Sequence, residues 1–270
     1  MTSSLVGSEM CIRDSHYTDA AFDADREQVL ASLPEKGVSH AMLAACNLED
    51  SSACIQLAQQ HADLLYASVG IHPEAEGTQP ADYLQQLAEL AAADCVKAIG
   101  EIGMDYHYEG YRKEAQMRLF QEQVDLAKQL HLPVIVHIRD ATEDAMRVLK
   151  DQRPAGVVHC FSGSAETAKE VIRLGMYIGF TGVLTFKNAK KAIRALQEVP
   201  EDRLVLETDC PYMAPVPFRG SRCDSSMIYL MAEKVAECRQ TDAQTVLHQT
   251  AVNAAALYQL TNLQQTANFG

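Results

Sequence analysis

No apolar run in this 270-residue chain approaches the roughly 20 residues that cross a bilayer, so no membrane span is expected. No block of lysine and arginine occurs either, and the formal charge is −13. That combination excludes a protein that grips nucleic acid by bulk electrostatics. It leaves a nuclease open, because bound divalent ions turn the local sign positive where a phosphate must sit. The eight cysteines form no CxxC pair and read as reduced thiols of a cytoplasmic protein. The opening residues lack the basic start and long apolar core of a secretory signal, in keeping with the same location. Neither GxGxxG nor GxxxxGK(S/T) is found, which weakens a nucleotide-binding fold.

What is present is alternation. Hydrophobic residues make up 47% of the chain, enough for a full core. Short apolar runs at Ser39–Cys46, Leu65–Gly70, Val96–Glu101, Leu132–His137, Gly156–Cys160, Met176–Phe180 and Arg203–Glu207 read as strands. Helical periodicity covers Asp23–Lys36, Leu48–Ala62, Pro80–Ala93, Lys113–Leu130, Thr142–Asp151, Ala165–Leu174 and Ala189–Gln197. Three more helices, Ser226–Cys238, Asp242–Gln249 and Ala251–Leu260, close the chain. Strands that are apolar throughout and alternate with helices imply a parallel sheet with a covered outer face. At this length the α/β pattern favours a (β/α)8 TIM-type barrel with extra C-terminal helices. Residues 1–15 look foreign to the rest, because Ser4–Ser15 resembles a translated sequencing adapter fused to a gene fragment. The expected organisation is therefore a non-native scar over 1–15, a missing first strand, and a single barrel over 16–270.

In such a barrel the active site forms at the C-terminal ends of the strands. His16, His72, Glu101, His137, His159 and Asp209 all fall there, so one ring collects them. A carboxylate at the end of a buried strand is costly unless paired, and a metal ion is one partner strong enough. Imidazole with carboxylate suits Zn, Mn, Fe or Ni, and carboxylate-rich variants also take Mg. Glu101 has two oxygens and can bridge two ions, with His137 and His159 serving one and His16 and Asp209 the other. Asp209 is also placed to orient or deprotonate a water. His72 reads equally as a substrate contact or as an anchor of its loop. Arg139 follows His137 closely, and Arg219 is a candidate phosphate fork. Met117, Phe120 and Val124 recur at helical spacing and read as core.

With these residues in view, the chain resembles the TatD family of metal-dependent hydrolases. The matching stretches are Gly70–Pro73, Gly100–Tyr106, Pro133–Asp140, Val158–Gly163, Gly179–Gly182 and Glu207–Pro215. The resemblance implies two divalent cations (Mg, Mn or Zn), phosphodiester hydrolysis of a nucleic-acid substrate (DNA foremost), and Glu101, His137, His159 and Asp209 as ligands. No membrane association and no protein partner are expected. The family opens with Asp-(Ser/Thr)-His-x-His, whereas this chain reads Asp14-Ser-His-Tyr-Thr-Asp19, with one histidine. Counting back from Phe22, His16 matches the second family histidine and Asp14 stands where the first belongs. Weak binding of the second ion is expected, with Asp14→His restoring it. The competing expectations are an amide, lactone or aminoacyl-ester hydrolase on the same site, or a weakened pseudoenzyme.

Overall fold

The computed structural model describes residues 10–260, with side chains from Ser15 onward. Eight strands form one parallel sheet in sequential order: β1 Met10–Ser15, β2 Val38–Leu43, β3 Leu65–Val69, β4 Val96–Asp105, β5 Val134–Arg139, β6 Gly156–Val158, β7 Tyr177–Phe180 and β8 Leu204–Leu206. A parallel bridge from Ser15 to Cys210 brings the two ends of the sheet together, and His16 N–H donates to the Cys210 carbonyl at 2.8 Å. The sheet thus curls into the expected barrel. Helices α1 Arg26–Ser32, α2 Leu48–Gln60, α3 Tyr83–Leu90, α4 Lys113–Leu130, α5 Thr142–Gln152, α6 Ala165–Arg173, α7 Lys190–Leu196, α8 Ile228–Arg239 and α9 Ala243–Leu257 cover its outside.

Several boundaries differ from expectation. The first strand is in place: Met10–Ser15 pairs with β2, so the barrel has a strand where a gap was expected. Asp23–Lys36 is not one helix, because Pro34 cannot continue α1 and instead opens a separate 3₁₀ turn, Pro34–Lys36. The last two expected helices are one, α9, started by the Asp242 carboxylate accepting from Thr245 N–H. β4 does not stop at Glu101. It continues for four residues to Asp105, held by pairing of Ile102–Asp105 with Val136–Arg139.

The interior is layered. Met42, Ala98, Ile135, Val157 and Val205 pack together at the lower end of the barrel, closed by Ala255, Leu257, Tyr258 and Leu260 from the end of α9. The residues facing outward from the strands pack under the helices. On α4, Leu119, Phe120, Val124 and Ala127 form that buried face, with Met117 at its edge. Gln116 and Gln123 interrupt this apolar stripe. Gln123 accepts from Ile71 N–H at 2.7 Å and donates to the Ile71 carbonyl at 3.0 Å. Gln116 makes the same pair of bonds to Asp105, both at 2.9 Å. Each amide clasps backbone at the top of a strand, which places the residues next to it.

Candidate metal centre

Strand side chains alternate in direction, so residues two apart share a face. Two residues above the apolar layer, the inward positions are Gly100, His137, His159, Gly179 and Glu207. Glu101 is buried at the same level, 3% exposed. Its Oε1 lies 2.6 Å from His159 Nε2, and its Oε2 lies 3.9 Å from His16 Nε2. His137 Nδ1 is 3.2 Å from His159 Nε2. On the other side, His16 Nε2 is 3.5 Å from Asp209 Oδ1, and His16 Nδ1 is 4.0 Å from Cys46 Sγ. Ligating atoms of Glu101, His137 and His159 fall within 4.8 Å of one another, and so do those of His16, Cys46 and Glu101. Glu101 belongs to both groups.

Electrostatics of this cluster favour positive charge. Burial would push the Glu101 pKa up, but His159 and His16 outweigh it and hold the carboxyl well below its ordinary range. Burial would likewise lower the His16 pKa, yet the Asp209 hydrogen bond, aided by Cys46 and Glu101, holds it well above the usual value. A water-poor site that keeps the Glu101 carboxylate ionised and the His16 imidazole protonated is one that favours bound positive charge. His72 differs. Burial and the neighbouring His137, 4.4 Å away ring to ring, bring its pKa down to about 3, so it is a neutral imidazole. Its Nδ1 accepts from Glu74 N–H at 3.2 Å and caps the turn Pro73–Ala75, which gives the loop-anchor reading its hydrogen bond.

These residues occupy the region matched by the family model for TatD related DNase, which spans residues 14–259. Among relatives, the metal-dependent hydrolase YabD of Bacillus subtilis is 36% identical over 249 residues, covering 91% of this chain and 97% of that protein. The 3′-5′ ssDNA/RNA exonuclease TatD of Pectobacterium parmentieri is 33% identical over 253 residues, covering 91% and 97%. The crystal structure of the TatD homolog YJJV from Escherichia coli superposes with a TM-score of 0.87 at 29% identity, covering 93% of this chain and 98% of that one.

The chain belongs to the TatD family. It is a metal-dependent hydrolase with a TIM-barrel-like amidohydrolase fold, a likeness that extends at 17% identity and a TM-score of 0.61 to an N-acetyl-D-glucosamine-6-phosphate deacetylase from Mycobacterium smegmatis. Among its described residues no helix is long and apolar enough to cross a membrane. The donor set fits divalent cations, since one carboxylate presents an oxygen to each of two imidazole-bearing groups. The expectation attached to Asp14 falls on a side chain outside those described. Arg139 and Arg219 are not among the converging residues: Arg139 lies over the Tyr108 ring at 5.4 Å, and exposed Arg219 over Phe186 at 4.4 Å.

This TatD-family site also contains residues that the sequence reading passed over. Asp105 Oδ2 lies 3.0 Å from His137 Nε2 and accepts from His107 N–H through Oδ1, so it fixes the ring's orientation. Glu207, fully buried, accepts from Cys160 N–H and lies 4.0 Å from His159 Nδ1. Gly179 makes room for it, because a Cβ there would sit 2.3 Å from the Glu207 carboxylate. Cys46 enters through β2, whose C-terminal extension puts the thiol beside His16. Asp105 and Glu207 had a signal, being acidic residues at the ends of otherwise apolar runs; Cys46 had none. Cys160 and Asp209, each just past a strand, adopt left-handed φ of 42° and 55°, an arrangement only the surrounding contacts can hold.

Proposed function

We propose that this TatD-family hydrolase cleaves phosphodiester bonds of nucleic acid, DNA foremost, using two divalent cations of the Mg, Mn or Zn class. The observation that carries the reading is Glu101, whose two oxygens face separate imidazole groups at the barrel mouth. Glu101, His137 and His159 would hold one cation; His16, Glu101 and Asp209 would hold the other. When bound, such ions polarise a phosphate and make water a stronger acid at neutral pH.

The chain's own side chains supply the rest. Asp209, partly exposed and 3.5 Å from His16, is the carboxylate placed to take a proton from an entering water. Asp105 holds His137 in one orientation, and Glu207 secures the backbone at Cys160 beside His159. His72 stays neutral, so it offers a hydrogen bond to substrate rather than a charge. Relatives described as 3′-5′ ssDNA/RNA exonucleases support the nucleic-acid substrate. The location follows the cytoplasmic expectation.

The test is a panel of short DNA and RNA oligonucleotides against amide, lactone and aminoacyl-ester substrates, each with Mg, Mn or Zn. Cation-dependent release of nucleotides is expected, and turnover confined to the carboxylic substrates overturns the proposal. No turnover in any combination would make the chain a pseudoenzyme.

A further inference from the structure

Large apolar side chains exposed singly on a protein surface need no explanation, but a set confined to one place does. Among the described residues that set is Tyr108, Tyr111, Tyr212, Met213, Val216 and Phe218. All six lie on two loops. The first leaves β4 directly after Asp105, the partner of His137. The second follows Asp209, just past the end of β8. Three strands lie between β4 and β8 in either direction around a sequential eight-stranded ring, so the loops stand on opposite sides of the mouth with the candidate metal centre between them.

We infer that these two loops are base-stacking platforms that select unpaired nucleotides on either side of the bond to be cut, an inference that rests on the phosphodiester reading. The ring faces are prepared for it. Tyr111 is already stacked on Tyr106, with centroids 4.3 Å apart and planes at 14°, which leaves it half exposed with a braced ring. Tyr108, 57% exposed, has His107 against its edge and the Arg139 guanidinium over its face. On the far side, Phe218 is exposed next to Arg219, and the loop is pinned by Val216 N–H donating to Thr185 Oγ1 at 2.8 Å. Tyr212 is fixed by its hydroxyl donating to Asp19 at 3.0 Å. Each loop therefore has an arginine beside it, Arg139 reaching over Tyr108 from the end of β5 and Arg219 within the second loop over Phe186, the pairing that seats a base and the phosphate next to it.

The overall charge argues for the same occupant. At −13 the protein offers no long-range attraction to a polyanion, so affinity has to come from contacts at the mouth. Stacking serves because every base has an aromatic face, and a duplex cannot use both loops while its bases remain stacked on each other. Two arginines would give a shallow salt dependence, with a log–log slope of about −1 to −2.

The experiment compares the KM of a single-stranded oligonucleotide with that of the same oligonucleotide carrying abasic residues on both sides of the scissile linkage. The wild-type protein is expected to show a KM at least about 10-fold lower for the base-bearing strand. The double variant Tyr108→Ala, Phe218→Ala should bring the two KM values together by raising that of the base-bearing strand, whereas Tyr108→Phe should keep the difference. Equal KM values in the wild type would overturn stacking while leaving phosphodiester hydrolysis standing. A preference that survives the double variant also overturns it, as does sedimentation showing that the loops are covered by a second copy of the chain during turnover. Failure of the wild type to cut either strand removes the underlying reading and this inference with it.

Discussion

Along β5, β6 and β8 the inward positions Ile135, Val157 and Val205 belong to an apolar layer closed from below by Leu257 and Tyr258, while two residues further on the same faces carry His137, His159 and Glu207. The two layers share strands and register, and on β8 they share burial, since Val205 and Glu207 are both fully buried. They differ only in what they do with that burial. Below, buried area stabilises the barrel through dispersion and exclusion of water. Above, the same exclusion of water makes each charge depend on a specific partner. A barrel can therefore keep its scaffold and its chemistry one strand repeat apart, each exposed to a different kind of damage.

The largest effect should come from the upper layer. Glu101→Gln keeps the shape but removes the charge that faces both imidazole groups. Hydrolysis should fall by about 10³-fold or more, beyond the 10–100-fold that loss of an outer partner costs. Elemental analysis should find fewer bound cations per chain. Hydrolysis within a few-fold of wild type would break the comparison outright.

A smaller effect, of another kind, is expected below. Ile135→Ala leaves a cavity under His137 and should lower unfolding free energy by about 2–5 kcal/mol in equilibrium urea titrations. Activity per folded molecule at low temperature should stay within about two-fold of wild type. If activity collapses as it does for Glu101→Gln, the layers are not separable.

The smallest effect is on pH. In the metal-free protein His16 is held above its ordinary 6.5, so its stabilising share is complete below that value and is lost as pH rises through the raised pKa. Glu101 is held below its ordinary 4.5, so its share is present above that value and is lost as pH falls through the depressed pKa. The metal-free Tm should therefore gain most from the upper layer between pH 4.5 and 6.5 and decline on both sides. Added divalent cation should shift the gain to higher pH, because it competes with protons for the same atoms. Differential scanning of both states checks this, and a flat metal-free profile would mean that the cluster's charges are not coupled to folding.

Much of this was legible in the chain. His137 and His159 follow runs of valine and isoleucine that can only be buried strands, and a parallel barrel exposes the C-terminal ends of its strands, so their convergence followed from pattern alone. Glu101 was found for the same reason, although its position was misjudged: β4 runs on to Asp105 because β5 continues to offer it partners, and pairing partners are not visible locally. The split at Pro34 had a local cause that the helical periodicity hid. Gln116 and Gln123 looked like ordinary polar residues of an amphipathic helix, and only the strand tops beside them make them clasps.

Composition, periodicity and the spacing of ionisable residues were sufficient for the alternating α/β plan, the barrel and the histidines and carboxylates at its mouth, because each rests on the behaviour of side chains within one strand or helix. The pairing of Cys46 with His16, of Asp105 with His137 and of Glu207 with the Cys160 backbone was decided by the fold alone. So was the placing of two aromatic loops across from each other. The paired residues are about 30 to 50 positions apart and the two loops about 100, and no local preference acts over such distances until the sheet has closed.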